Sequence, residues 1–230
     1  APDRSKLPEL SQYASLINPD GSHKTVGFVE TTRGCKYLCR HCPVVPVYRG
    51  RFHVIPADIV MNDIRAQVAQ GAEHISFGDP DFFHGPGHAL RIVRALHAEI
   101  PAVSYDATIK IEHIVRYPED MQVLKDTGCL FILSAVEAMD DVILEHLDKG
   151  HTRADFIAAL ALLRDIGIAL TPTFVAFTPW TTLENYIELL RHIIELQLIE
   201  AVAPVQLSIR LLIPAGSCIL DIDSLADTVG

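Results

Sequence analysis

Two kinds of hydrophobic repeat alternate along most of the chain. Short apolar runs rich in β-branched and aromatic residues predict buried strands, whereas apolar residues spaced three or four positions apart predict amphipathic helices. Short runs of the first kind divide the chain at fairly regular intervals. They predict six strands, at residues 25–30, 74–77, 103–109, 130–136, 169–177 and 205–212.

The segments between these runs carry the helical period. In the first of them Val60, Ile64 and Val68 recur every four residues, and Gly71 ends the pattern. Further helices are predicted near 87–99, 117–127, 139–147 and 152–166, the last capped by Thr152 and Asp155, and after a capping box at Thr181-x-x-Glu184.

Strands that alternate with helices build parallel βαβ units with right-handed crossovers. Six strands are too few to close the usual eight-stranded barrel. The pattern therefore predicts the α/β class, with an open (β/α)6 partial TIM-type barrel of parallel strands. We expect a polar lead-in at 1–24, the core at 25–214 and a C-terminal extension at 215–230. The site of such a fold lies at the carboxyl ends of its strands.

Composition narrows the class of protein. A chain of 230 residues with 49% hydrophobic content can bury a sizeable core. Its formal net charge of −10 argues against general binding to nucleic acids or anionic membranes. No run reaches the ~18 apolar residues of a membrane span, so no membrane association is expected. Five cysteines without a disulfide-type spacing fit a reducing cytoplasm.

Three of those cysteines, Cys35, Cys39 and Cys42, lie within eight consecutive positions directly after the first predicted strand. Their C-x3-C-x2-C spacing lets one loop turn all three sulfurs toward a common centre. Soft thiolate ligands favour zinc or an iron–sulfur cluster. Three thiolates without a fourth close by favour a centre with one open position. A Cys3His zinc site completed by His41 or His53, and clustered thiols without metal, are the alternatives.

This cysteine motif resembles the signature of the radical S-adenosylmethionine (radical SAM) enzymes. The resemblance implies that the three thiolates hold three irons of a [4Fe–4S] cluster, while the amino and carboxylate groups of SAM chelate the fourth. It implies that His41, where the family usually has an aromatic residue, brings its backbone near the adenine. An external one-electron donor would reduce the cluster, SAM would be cleaved, and a 5′-deoxyadenosyl radical would abstract hydrogen from an unidentified substrate, for which a peptide is one candidate.

The resemblance extends to the ends of later predicted strands. Gly78 and Asp79 resemble the glycine-rich motif that holds the SAM amino group, with Asp in place of the more usual Glu. Ser134 and Glu137 resemble a Ser-x-x-Glu pattern at the ribose. Lys149 resembles a cation that approaches the SAM carboxylate. For Asp79 and Glu137 the alternative is a helix cap, and for Lys149 it is a solvated surface residue.

The last two predicted strands resemble those that flank adenine and substrate in the family. Thr173 belongs to the fifth strand and is assigned to the cofactor site on that basis. Arg210, on the sixth, would bind a SAM carboxylate or a substrate anion, or else pair with a buried carboxylate. Cys129 is expected to be a core thiol, while Cys218 in the final loop could contact substrate.

Several short runs also resemble the radical SAM proteins named for a CUAEP or CCAEP tail, although this chain carries no such tail. These runs are 78–82, 108–113, 134–137, 148–152 and 177–180.

A further alternative is that the loop binds the cluster but the protein binds no SAM, which would make it an electron-transfer protein.

Overall fold

Strands and helices alternate along the chain, as the hydrophobic pattern predicts. The computed structural model describes residues 2–222 and Leu225. The strands are β1 (Ser15–Ile17), β2 (His23–Val29), β3 (Thr32–Gly34), β4 (Phe52–Val54), β5 (His74–Phe77), β6 (Ser104–Thr108), β7 (Cys129–Glu137) and β8 (Ala169–Phe174). The α-helices are α1 (Val44–Tyr48), α2 (Ala57–Ala69), α3 (Pro86–Glu99), α4 (Ile111–Arg116), α5 (Pro118–Asp126), α6 (Asp141–His146), α7 (Arg153–Ile166) and α8 (Leu183–Glu195).

The main sheet of the described residues has the order β1-β2-β5-β6-β7-β8. Its members from β2 to β8 pair in parallel, and β1 pairs antiparallel with β2. Strands β3 and β4 form a separate antiparallel hairpin. This mostly parallel, open sheet confirms the α/β class and the partial-barrel architecture.

The sixth predicted strand, at 205–212, is wrong. Residues Pro204–Leu207 form a 3-10 helix, and a single parallel bridge between Phe177 and Arg210 is the pairing observed there. Pro204 favours the first turn of a helix and cannot donate to a sheet ladder. The sixth strand of the sheet comes instead from the predicted lead-in, where β1 forms an antiparallel edge.

The capping box of the last helix is displaced by one residue. Thr182 and Asn185 cap α8 reciprocally, because the hydroxyl of Thr181 already accepts a hydrogen bond from the backbone N–H of Thr178. The predicted cap of α7 is confirmed, with Thr152 and Asp155 forming the reciprocal pair.

Alternation along the strands separates two faces of the sheet. Ile75, Tyr105 and Ile132 belong to the face that packs on the helices and are fully buried. The opposite face, here called the concave face, carries residues paired at the same level on neighbouring strands. It includes Ser76, Asp106, Phe131, Leu133, Ala135 and Thr173.

A polar network occupies the amino-terminal half of the concave face. The His74 ring bonds Ser104 Oγ and Asp106 Oδ2, both at 2.9 Å. Ser76 Oγ donates to the other Asp106 oxygen at 3.0 Å, and Lys24 Nζ donates to Ser104 at 2.9 Å. Every member of this network, here called the polar floor, has a hydrogen-bond partner. The amino-terminal half of the concave face therefore buries no unpaired charge within this network.

Gln67 of α2 protects the edge of β2 beyond its pairing with β1. Its side-chain oxygen accepts from the Phe28 N–H at 2.9 Å, and its side-chain nitrogen donates to the Phe28 carbonyl at 3.1 Å. Arg4 donates to the same carbonyl and also pairs with Asp63 at 2.7 Å. The Gln67 amide thus makes the two hydrogen bonds that a neighbouring strand would make with Phe28. Without it, these backbone groups at the edge of the sheet would lack a partner.

We expect Gln67→Met to lower the free energy of unfolding by about 1–3 kcal/mol, because the Phe28 N–H would be left without its partner. Urea unfolding measures the change. Gln70→Met, on an exposed position of the same helix end, is the matched control and should change stability by less than about 0.5 kcal/mol. Equal losses in both variants would contradict the proposed role of the amide.

Candidate active site

The loop that carries the cysteines, residues 35–43, is anchored by a buried carboxylate. Asp79, directly after β5, accepts hydrogen bonds from Thr31 N at 2.9 Å, Thr31 Oγ1 at 2.7 Å, and the N–H and hydroxyl of Thr32, both at 2.6 Å. Burial raises the pKa of Asp79, and these four bonds oppose that rise. The carboxylate therefore fixes the turn between β2 and β3 that leads into the loop.

Tyr37, between the first two cysteines, is held by residues that follow β5 and β6. Its hydroxyl lies 2.5 Å from Nε2 of buried His113, and Lys110 Nζ lies 3.5 Å from the centre of its ring. Nδ1 of His113 lies 2.9 Å from Asp81 Oδ2, at an angle unfavourable for a hydrogen bond. Burial would raise the pKa of Asp81, but His113 and the charge of His84 hold it below its ordinary value.

The second half of the loop contacts β7 and α6. Arg40 donates its backbone N–H to Leu147 O at 3.0 Å and its guanidinium to His146 O at 3.1 Å, at the carboxyl end of α6. His41 Nε2 lies 3.0 Å from Glu137 Oε1. The loop thus spans the carboxyl ends of β5, β6 and β7.

Glu137 has a backbone conformation that aims its side chain at this loop. Its φ of +71° lies in the left-handed region, next to a register shift between β7 and β8 that marks a bulge. Lys149 Nζ is 3.3 Å from the same Oε1 that contacts His41, and both side chains are buried. Burial alone would raise the pKa of Glu137, but His41 and Lys149 outweigh it and hold the pKa at about 2.

Unpaired polar atoms collect beside this pair. Nδ1 of His41 and both ring nitrogens of His151 are buried without a hydrogen bond of normal geometry. Burial and the charge of Lys149 lower the pKa of His151 to about 4, partly opposed by the nearby Val136 carbonyl. Buried polar groups in folded proteins normally have partners. Three such atoms fit a polar ligand such as SAM at the carboxyl end of β7.

The three cysteine thiols of the loop are available as ligands of a cluster. All five cysteines are free, and burial raises the pKa of Cys39 and brings that of Cys35 to about 11. Within the described part of the chain, no three His, Cys, Asp or Glu side chains converge on a position for a single ion. His41 contacts Glu137, so a Cys3His zinc site that uses His41 would have to break that contact. A [4Fe–4S] cluster spreads three thiolates over three irons.

The remaining predicted site residues are distributed over several positions. A side chain on Gly78 would overlap the ring of Phe28, an exposed side chain that would have to move to make room. Ser134 shares the helix-facing side of β7 with Ile132 and Val136, where its hydroxyl is fully buried and unpaired. Thr173 lies on the concave face opposite Ala135. Arg210 is exposed beside Phe177, and its side chain forms no hydrogen bond or ion pair with the described residues.

The sequence assigned no role at the cysteine loop to Tyr37, Asp81, His84 or His113. Because His84 and His113 lie near predicted strand ends, the sequence indicated only that they could face substrate. His84 Nε2 lies 3.2 Å from Cys35 Sγ. Burial lowers the pKa of His84 to about 4. The signal available in the sequence was the position of Tyr37 within the cysteine loop and of the other three residues after the second and third predicted strands, which is shared by many residues that have no role.

Fold and site together define a class of protein: a parallel α/β half-barrel with a three-cysteine loop across its strand ends. The model of the Radical SAM superfamily matches residues 29–196. This range contains all three cysteines and all the parallel strands from β5 to β8. The chain belongs to the radical SAM superfamily, whose members use a [4Fe–4S] cluster and SAM.

Curated relatives agree with this assignment. The tRNA-2-methylthio-N(6)-dimethylallyladenosine synthase of Desulfosudis oleivorans is 26% identical over 186 residues, which cover 76% of this chain and 39% of that protein. The enzyme of the same name from a Sulfurihydrogenibium species is 25% identical over 215 residues, covering 83% of this chain and 46% of that protein. The chain therefore spans less than half the length of these relatives.

Solved structures share the fold. The radical S-adenosylmethionine methyltransferase TsrM from Kitasatospora setae, with cobalamin and a [4Fe–4S] cluster bound, has a TM-score of 0.66 and 21% identity, covering 76% of this chain and 33% of that chain. The cobalamin-dependent radical enzyme OxsB has a TM-score of 0.62 and 18% identity, covering 93% and 35%. At these identities the likeness concerns the fold alone.

None of the described helices combines the length and the apolar character that a membrane span requires.

The charge pair at Glu137 predicts a pH dependence of stability. Its folded-state pKa of about 2 lies below the ordinary 4.5, so ionised Glu137 stabilises the fold at neutral pH. We expect a loss on the order of 3 kcal/mol as the pH falls from about 4.5 to about 2. Glu137→Gln should be less stable at pH 7 and should lack this part of the decline.

Urea unfolding between pH 2 and pH 7 measures this dependence. Glu145→Gln, which changes an exposed carboxylate on α6, is the matched control and should keep the decline of the unaltered protein. An identical pH profile for Glu137→Gln and the unaltered protein would contradict the assignment.

Proposed function

We propose that Cys35, Cys39 and Cys42 bind the [4Fe–4S] cluster and that the chain catalyses radical SAM chemistry on a substrate held at its concave face. The observation that carries this proposal is the position of the cysteine loop. Asp79 holds the turn that leads into the loop, and His113 and Glu137 hold Tyr37 and His41 within it, at the ends of three successive parallel strands. Membership of the superfamily supports the same conclusion.

When bound, the cluster and SAM supply the one-electron chemistry, in which reductive cleavage of SAM yields a 5′-deoxyadenosyl radical that abstracts hydrogen from substrate. The protein's own residues bind and orient. We propose that Glu137, Lys149 and His41 form the polar wall of the SAM site, with the unpaired atoms of His41 and His151 as ligand contacts. Thr173 lies on the same concave face and would contact SAM or substrate.

The structure changes the roles we propose for two predicted residues. Asp79 is buried and already accepts four hydrogen bonds from Thr31 and Thr32, three of them at Oδ1, so we propose that it positions the cysteine loop and does not accept the SAM amino group. Ser134 faces the helices, so we propose that it makes no ribose contact. For Gly78 and Arg210, a role in binding SAM or substrate is supported only by the resemblance to the family.

The substrate would meet the carboxyl-terminal half of the concave face. Leu133 and Ala135 are partly buried there, which suits an apolar or peptidic group and excludes water from a reactive radical. The curated relatives are named for a tRNA product, but the net charge of −10 disfavours contact between this chain and a phosphate backbone. We therefore favour a small-molecule or peptide substrate.

We propose that an external one-electron donor approaches the cysteine loop from its basic side. Lys36, Arg49 and Arg51 are exposed there in a chain that is otherwise acidic. A local positive potential would attract an acidic donor protein and speed the encounter.

The cleavage of SAM tests the proposed function directly. After anaerobic reconstitution with iron and sulfide, we expect dithionite and SAM to yield 5′-deoxyadenosine, measured by chromatography. Cys39→Ser should lower the yield at least about 100-fold, because the cluster loses a ligand. Cys218→Ser, which changes a cysteine outside the loop, should retain it. A protein that binds zinc, remains colourless and forms no product would refute the proposal, whereas a cluster without product would indicate electron transfer only.

Thr173→Val and Ser134→Ala form a matched pair that tests which face of the sheet binds SAM. We expect Thr173→Val to weaken SAM binding to the reconstituted protein about two- to tenfold, the equivalent of one hydrogen bond. Ser134→Ala should leave SAM affinity unchanged and should not lower stability, because its buried hydroxyl has no partner. Isothermal titration with SAM and urea unfolding measure the two effects. Weaker SAM binding by Ser134→Ala alone would restore the ribose contact and contradict this arrangement.

A further inference from the structure

We propose that His84 is a positioning residue that donates a hydrogen bond to Cys35 Sγ and thereby raises the reduction potential of the cluster. The inference rests on the proposed function, in which Cys35 binds iron. It assigns to His84 a role in electron uptake that neither the cysteine motif nor the SAM-binding residues provide.

The contact has the geometry of a directed hydrogen bond. His84 Nε2 lies 3.2 Å from Cys35 Sγ, and when Cys35 is an iron-bound thiolate without a proton, the imidazole is the partner that donates. Among the described residues, Cys35 is the one thiol of the loop that receives a side-chain hydrogen bond. The three ligands are therefore not equivalent, and the difference arises from a residue 49 positions away in the sequence.

The imidazole is held in place from several sides. Its ring stacks on Phe52 at 5.0 Å between centroids and on Tyr37 at 6.1 Å. A ring fixed by two aromatic neighbours cannot rotate away from the sulfur without losing these contacts.

The backbone around His84 adds to this restraint. The residue ends a 3-10 helix, Phe82–His84, in which the Phe83 N–H donates to the buried carboxylate of Asp81. The His84 carbonyl accepts from Lys36 Nζ at 3.2 Å, and Lys36 directly follows Cys35. His84 thus contacts Cys35 through its ring and the next residue, Lys36, through its backbone carbonyl.

A hydrogen bond to a ligating sulfur favours the reduced cluster. Reduction adds one electron, which comes from the external donor, and the thiolates carry part of the added negative charge. A donor aimed at one of them stabilises that charge, and hydrogen bonds to sulfur are among the factors that set the potentials of iron–sulfur clusters. His84 would therefore ease the uptake of the electron.

Three variants separate the hydrogen bond from the packing. His84→Phe keeps an aromatic ring and removes the donor, whereas His84→Gln removes the ring and keeps an N–H donor. His97→Gln, on an exposed position of α3, is the matched control. Each reconstituted protein is titrated with dithionite in the presence of redox mediators and without SAM, and the reduced cluster is followed by electron paramagnetic resonance.

We expect His84→Phe to shift the midpoint potential to a more negative value at unchanged iron and sulfide content. His84→Gln should lie between His84→Phe and the unaltered protein, and His97→Gln should not shift. A potential in His84→Phe equal to that of the unaltered protein, or equal shifts in the Phe and Gln variants, would overturn the inference. Failure of the unaltered protein to hold a [4Fe–4S] cluster would refute the proposed function and this inference together.

A measurement on the unaltered protein keeps the inference testable if His84→Phe does not fold. Pulsed electron paramagnetic resonance on protein labelled with ¹⁵N-histidine should detect a weak coupling between the reduced cluster and an imidazole nitrogen. The coupling should disappear in His84→Gln. Its absence from the labelled, reduced and cluster-loaded protein would overturn the inference while leaving the proposed function intact.

Discussion

The structure of the site depends on one buried carboxylate. Asp79 follows β5, and Thr31 and Thr32 follow β2, so the four hydrogen bonds between them join the ends of two neighbouring parallel strands. Charge-assisted bonds of this kind are short and directional. They set the direction in which the chain leaves β2, and the hairpin of β3 and β4 and the cysteine loop follow from that direction.

The other contacts of the loop repeat the same principle at later strand ends. Tyr37 is held by His113 after β6, and His41 is held by Glu137 at the end of β7. Parallel strands place their carboxyl ends along one edge of the sheet, so residues far apart in sequence converge there. Each contact is a buried polar pair, which is costly to break and therefore favours a single conformation of the loop.

The site contains buried polar groups that have hydrogen-bond partners and others that do not. Asp79 and the polar floor around Asp106 are fully partnered, which fits a structural role. His41 and His151 retain buried atoms without partners beside the Glu137–Lys149 pair, which fits a place prepared for a polar ligand. Glu137 also holds a left-handed backbone conformation, and such strain is common where a side chain is aimed at a site.

The sequence by itself determined the fold class, five of the six strands of the main sheet, the helices α2, α3, α5, α6, α7 and α8, and the three cysteines, because periodicity and short-range spacing are local properties of the chain. It did not determine the edge of the sheet: residues 205–212, directly after Pro204, were predicted as a strand, and β1 was missed, because edge strands form through pairing partners that local pattern does not specify. Nor did it assign Asp79 to Thr31 and Thr32, or His84 to Cys35, since those contacts span 47 to 49 residues. Only the tertiary structure, by bringing the strand ends together, decided which polar residues support the cysteine loop and which remain free to bind.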